Sequence, residues 1–254
     1  MRADQLLVER GLAASRAQAQ RLIAAGVEWQ PQADVWRRVA KNGEELPPAA
    51  VIRLLDDAEA RYVSRGGLKL EGALRHVGLQ VQGWTCLDLG QSTGGFSDCL
   101  LQAGAARVVG LDVGQAQLHP KLRADPRVRC IESLNARDVA AVAQALEGEA
   151  PPGGFDLLVG DLSFISQTLV LPAVVPWLKA GGAALMLVKP QFELQPGQVG
   201  KGGIVRDASL YPLVEQRLRE ACTGLGLQVR DWFDSPIAGG DGNREFFIYT
   251  IKSP

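Results

Sequence analysis

The chain has 254 residues, 46% of them hydrophobic and 22% charged, with a formal net charge of −1. That is enough apolar material for one ample α/β domain and a small accessory one. No charged leader with a cleavage site opens the chain, and no stretch approaches the roughly 20 apolar residues that span a bilayer, so a cytoplasmic protein with no membrane segment is expected. Cys86, Cys99, Cys130 and Cys222 form no CxxC pair, and His76 and His119 have no ligand spacing around them, which argues against a disulfide framework or a zinc site.

The near-neutral total conceals a local bias. Residues 1–41 carry seven basic side chains (Arg2, Arg10, Arg16, Arg21, Arg37, Arg38, Lys41) against four acids (Asp4, Glu9, Glu28, Asp34), and residues 42–60 reverse the sign.

The opening RADQLLVERGLAASRAQAQRLIAAG reads as two short helices. Leu6 and Leu7 mark the apolar face of the first, Gly11 ends it, Ser15 caps the second, and Ala19, Leu22 and Ile23 are buried at helical spacing. Gly26 closes that helix before a short β-like segment, VEWQPQADVW; NGEELPPAAVIRLL then reads as a turn and one strand. The signatures Arg2-x-Asp4, SRAQA and LIAAG resemble the S4 RNA-binding module, although Glu28 and Trp29 stand where such modules usually continue with a basic residue and a Val-x-Val strand. The expected domains are an S4-like module over 1–58, a linker over 59–66 and a catalytic domain over 67–254.

From Trp84 onward strands and helices alternate, which calls for a parallel sheet covered on both faces. Strands are expected at 84–89, 107–112, 127–131, 155–160 and 182–188, with a helix in SQTLVLPAVVPWLKAGG ended by Gly181 and Gly182 and another in LYPLVEQRLREACTGLG. LQVRDWFDSPI and REFFIYTI, joined through AGGDGN, form an antiparallel hairpin. This order predicts a Rossmann-like S-adenosylmethionine-dependent methyltransferase fold, seven-stranded and mostly parallel, rather than a nicotinamide enzyme.

The first strand runs into CLDLGQSTGGF, where Gly90, Gly94 and Gly95 turn the chain into a helix and leave backbone N–H groups free for a ligand. Ser92 stands where a GxGxxG loop has its second glycine. Asp112, about 20 residues further on at the end of the second strand, suits a pair of ribose hydroxyls. Glu132 and Asn135 follow the third strand near the same crevice, in position for an adenine edge. With Asp88 below an amino-acid moiety and no phosphate-binding lysine, S-adenosylmethionine is the expected cofactor. Its candidate site comprises Asp88, Gly90, Ser92, Thr93, Gly94, Gly95, Phe96, Asp112, Val113, Glu132, Asn135, Asp161 and Leu162.

GDLSFIS puts Asp161 at the carboxyl edge of the fourth strand, and ALMLVKPQFE puts Lys189 at that of the fifth, partly desolvated and in position to pair with Asp161. Lys69 after SRGG and Glu245 in NREFFIY complete the chain order Lys, Asp, Lys, Glu, which is that of ribose 2′-O-methyltransferases.

The blocks YVSRGGLKL, LDLGQSTGGFSDCLL, LDVGQAQLH, DLSFIS, LVKPQFE, GKGGIVRD and GNREFFIY, together with the N-terminal module, resemble the TlyA (haemolysin A) family from residue 2 to about 251. The resemblance implies an FtsJ-like catalytic domain, a Lys69, Asp161, Lys189, Glu245 tetrad, and 2′-O-methylation of ribosomal RNA on a cytidine ribose, free or in ribosomal subunits. It implies RNA contacts for Arg2, Arg16, Arg21, Arg65, Lys201 and Arg206, and a monomer is expected. Chemically, a ribose hydroxyl is a poor nucleophile until oriented and relieved of its proton. Lys189, held by Asp161 and Glu245, is expected to do this while Lys69 steadies the network or a flanking phosphate. The leaving thioether is neutral, so no metal is called for.

The loop QPGQVGKGGIVRDAS reads as a mobile, substrate-facing lid or as a plain flexible connection. Two rival functions remain. A membrane-active haemolysin lacks a spanning segment or a long basic amphipathic stripe. An RNA-binding assembly protein with a vestigial cofactor pocket is opposed by Asp88, Asp112, Asp161 and Lys189.

Overall fold

Residues 1–32, 35–55, 61–239 and 242–254 are described by the computed structural model. Residues 56–60 of the expected first domain and linker, 33–34 of the β-like segment and 240–241 of the AGGDGN turn lie outside the described residues. The chain divides into two compact units, Met1–Leu68 and Lys69–Pro254.

In the first unit, α1 (Ala3–Glu9) and α2 (Arg16–Gly26) precede an antiparallel sheet of β1 (Val27–Gln32), β2 (Val35–Arg38) and β3 (Val51–Leu54), in the order β2-β1-β3. Gly11 follows α1 with φ 68°, a left-handed conformation that glycine adopts without steric penalty. Ser15 Oγ accepts from Gln18 N–H at 3.2 Å and so satisfies one donor left over at the start of α2. Leu6, Leu7, Leu22, Ile23, Val27 and Leu46 form a core of their own. Asp4 is fully buried beside it, accepting from Arg2 at 2.9 and 3.0 Å, from Arg16 at 3.0 Å and from Gln20 at 3.3 Å. The Arg2 guanidinium, followed by Arg16 and Gln20, holds its carboxyl well below the usual carboxylate range.

The second unit begins within α3 (Gly66–Val77) and continues through β4 (Thr85–Leu89), α4 (Gly95–Gln102), β5 (Arg107–Leu111), α5 (Pro120–Arg123), β6 (Val128–Ile131), α6 (Val139–Leu146), β7 (Phe155–Gly160), α7 (Gln167–Val174), β8 (Leu178–Val188), α8 (Pro190–Glu193), α9 (Tyr211–Gly224), β9 (Leu227–Asp234) and β10 (Phe246–Lys252). The sheet order is β6-β5-β4-β7-β8-β10-β9; β4 to β8 pair in parallel, and β10 inserts antiparallel between β8 and β9. This is the Rossmann-like, seven-stranded mixed sheet that the strand order predicts. Leu87, Leu89, Val109, Leu111 and Leu158 pack one sheet face against α6, α7 and α9. On the other side Phe96 of α4 stacks on Phe247, and His76 of α3 stacks on Phe233.

One element departs from its expected bounds. The helix begun at Gln167 ends at Val174, and β8 already starts at Leu178, upstream of Gly181 and Gly182. Pro176 lacks the N–H that would bond back to Pro172 O, so the helix gives way to a single 3₁₀ turn, Val175–Trp177. The register against β7 then jumps from Phe155↔Leu178 to Leu157↔Ala183, with Gly181 at φ 71° in the irregular stretch. Among the described residues no helix is long and apolar enough to cross a membrane, and no group of His, Cys, Asp and Glu could hold a metal ion.

Candidate active site

The strand order reverses between β4 and β7, and a cleft opens where such sheets bind ligands, beyond the carboxyl ends of the strands. Its volume is about 560 Å³, within the range of small-molecule sites. Of the expected cofactor residues, Gly90, Ser92, Asp112, Val113, Asn135, Asp161 and Leu162 line it. Gly90 takes φ 72°, and a Cβ there would stand 3.1 Å from Asp161 O, so the chain segments after β4 and β7 approach each other closely at this glycine.

Asp112 organises the loop. Its two carboxylate oxygens accept from Ser92 N–H and from Gly114 N–H, both at 2.6 Å. Each oxygen keeps a further lone pair. Asn135 Oδ1 accepts from Arg137 N–H at 3.1 Å.

The other expected cofactor residues are not on the cleft lining. Phe96 is buried against Phe247, and Gly94, at φ 96°, begins α4 where a Cβ would collide with Leu122 and Leu118. Gly95 is buried in the first turn of α4, and Thr93 O accepts from His119 N–H at 3.1 Å. Glu132 accepts from Ala116 N–H at 2.9 Å and from Arg123 at 2.7 Å.

Asp88 lies beneath the loop, 1% exposed, with Oδ2 accepting from Ser97 Oγ at 2.7 Å while Ser97 accepts from Gln91 Nε2 at 2.7 Å. Burial pushes its carboxyl up to about 7 against the pull of the Ser97 hydrogen bond.

The four candidate catalytic residues form two ion pairs. Lys189, at the end of β8, places Nζ 2.7 Å from Asp161 Oδ1 and donates to Ser163 Oγ at 2.8 Å. Lys69, in the first turns of α3, places Nζ 2.5 Å from Glu245 Oε2, just before β10; both side chains are buried. The pairing differs from the expected one: Glu245 is the partner of Lys69, not of Lys189. Burial raises the Glu245 carboxyl and the Lys69 hydrogen bond opposes that, while Asp161 raises it further and Lys189 lowers it. The two pairs therefore feel one another electrostatically.

Sequence reasoning missed Ser163, Phe164 and Ile165 on the cleft, although they lie inside the DLSFIS block that follows β7. It also missed Glu193, 3% exposed, which accepts from Ser166 Oγ at 2.5 Å and Gln167 N–H at 2.8 Å. Glu193 thereby fastens the segment after Lys189 to the one after Asp161. Among the expected RNA-contacting residues, Arg2 and Arg16 are about half exposed and held by Asp4, Arg65 is half-buried, and Lys201 and Arg206 are exposed.

A parallel sheet with an antiparallel strand inserted at β10, and a cleft at its switch point lined by Asp161 of the Lys189–Asp161 pair, defines a Rossmann-like methyltransferase. Residues 62–252 match the FtsJ-like methyltransferase family, and the chain belongs to that family. It is 42% identical over 251 residues to the 16S/23S rRNA (cytidine-2′-O)-methyltransferase TlyA of Mycobacterium tuberculosis, covering 98% of this chain and 88% of that one. It is 38% identical over 256 residues to Hemolysin A of Brachyspira hyodysenteriae, covering 99% and 100%. A solved Streptococcus thermophilus chain described as a hemolysin superimposes with a TM-score of 0.74 at 39% identity, covering 100% of this chain and 88% of that one.

Proposed function

We propose that the protein transfers a methyl group from S-adenosylmethionine to the 2′-hydroxyl of a cytidine ribose in ribosomal RNA. The observation that carries this reading is the Lys189–Asp161 pair, 2.7 Å apart at the ends of β8 and β7, with Asp161 on the lining of the cleft. The Mycobacterium tuberculosis relative, named for cytidine 2′-O-methylation of 16S and 23S rRNA, supports the choice of substrate.

The cleft residues fit the cofactor. Asp112 retains acceptor capacity for two ribose hydroxyls, and Val113, Leu134, Leu162 and Ile165 offer apolar walls to a flat base. When bound, S-adenosylmethionine supplies an electrophilic methyl on a sulfonium. Lys189 Nζ, steered by Asp161 and Ser163, orients the ribose hydroxyl oxygen in line with that methyl, and the hydroxyl proton leaves by way of the Asp161 carboxylate, the acceptor of the pair. The Lys69–Glu245 pair sets the field around this network.

The N-terminal unit acts as an S4-like RNA-binding module. Asp4 fixes the guanidinium groups of Arg2 and Arg16 while their outer edges remain open to phosphates, and Arg21 and Arg65 add positive charge to this unit; in the catalytic unit, the exposed Lys201 and Arg206 are available to phosphates. The protein works in the cytoplasm on ribosomal RNA or ribosomal subunits, without a membrane, as a monomer.

The test is incubation with tritiated S-adenosylmethionine and unmodified small and large ribosomal subunits, beside a Lys189→Ala control, with label mapped to base or ribose. Ribose label that disappears in the control is the expected result. Label on a base, or ribose label that survives in the control, would reject the reaction or the role of Lys189.

A further inference from the structure

The loop between α8 and α9, expected to be a mobile lid or a flexible connection, is tied down around Gly203 and Val205. Gly202 and Gly203 take φ 78° and 80°, and Gly200 N–H donates to Ile204 O at 2.9 Å, closing residues 200–205 into a tight turn. Lys201 and Arg206 are exposed on it, whereas Val205 is buried. Asn243, 2% exposed, donates from Nδ2 to Gly203 O at 2.9 Å and accepts at Oδ1 from Val205 N–H at 3.0 Å. Those two backbone groups flank Ile204, so the side-chain amide bonds to the loop as a neighbouring strand would. An aspartate, a leucine or an alanine lacks one or both halves of this contact.

Asn243 stands two residues before Glu245, the partner of Lys69. The residues on either side of Glu245 grip the same segment. The Arg244 guanidinium lies 5.7 Å from the Tyr211 ring and Phe246 packs edge-on to that ring at 5.3 Å, while the Tyr211 hydroxyl donates to Val205 O at 3.4 Å.

We propose that Asn243 is a positioning residue that joins the order of the 200–205 loop to the placement of Glu245 against Lys69. Phosphate groups engaged by the exposed Lys201 and Arg206 then act on the Lys69–Glu245 pair through the loop and Asn243. The link to RNA rests on the methyltransferase reading; the mechanical link does not.

The experiment compares the full-length parent with Asn243→Ala and Asn243→Asp by amide hydrogen exchange, calorimetric binding of S-adenosylmethionine, and methyl transfer to ribosomal subunits. In Asn243→Ala, exchange should rise about tenfold in residues 200–205 and 244–247 together, because two hydrogen bonds are lost, while β4 and β7 stay protected. Cofactor affinity should hold within about twofold and kcat should fall about tenfold. Asn243→Asp, which keeps the acceptor for Val205 N–H, should lie between the two.

A rise confined to 200–205, no rise at all, or a uniform rise that includes β4 and β7 would overturn the proposal. Should the parent transfer no methyl to either subunit, the functional reading fails, and the exchange pattern alone decides the role of Asn243.

Discussion

The ammonium of Lys69 lies 2.5 Å from the carboxylate of Glu245, 176 residues along the chain, and both groups are buried. A buried charge that loses its partner is costly, so Lys69→Ala should destabilise the protein by about 3–5 kcal/mol, more than a surface lysine would. Urea unfolding measures this, and removing both partners (Lys69→Met with Glu245→Leu) should recover much of the loss. A Lys69→Ala variant as stable as the parent would mean that the pair is not desolvated.

Asp88 gives a pH signature. Its folded-state pKa of about 7 lies above the ordinary carboxylate value because of burial, so its contribution is fully present below about pH 4 and is lost as pH rises through 7. Between pH 5 and pH 8 the parent should lose roughly 2–3 kcal/mol relative to Asp88→Asn, which cannot ionise. Parallel stability profiles of the two proteins would show that Asp88 titrates normally.

Asp112 uses both carboxylate oxygens on the loop backbone while lining the cleft. Asp112→Ala should weaken S-adenosylmethionine binding about 10- to 100-fold by calorimetry, through lost ribose contacts and a loosened loop. Unchanged affinity would remove Asp112 from the cofactor site.

Ser163 tests the Lys189 arrangement without removing a charge. The hydroxyl accepts from Lys189 at 2.8 Å, so Ser163→Ala should lower kcat about tenfold with cofactor affinity within about twofold of the parent. If kcat is unaffected, Asp161 alone suffices to steer the lysine.

Much of the frame was legible because its signals are local. Apolar runs marked β4, β5, β6 and β7 to within a residue or two, Gly11 and Ser15 marked helix ends, and the residues following each strand pointed to the cleft. The end of α7 was misplaced because Gly181 and Gly182 looked like a helix terminus, whereas the missing N–H of Pro176 stops the helix earlier. The second partner of Lys189 and the inward position of Asp88 were not legible, since each depends on which side chain from another element fills the remaining space.

The sequence by itself determined the alternation of strands and helices, the antiparallel ending, and the four residue types at the candidate catalytic positions, because periodicity and turn chemistry act over a few neighbouring residues. Only the tertiary structure decided that Glu245 joins Lys69 while Asp161 and Ser163 hold Lys189, and that Asn243 fastens the loop. These depend on β10 inserting between β8 and β9 and on the desolvation that follows. The energy of a charge or an amide is set by the groups packed around it, and those come from distant parts of the chain.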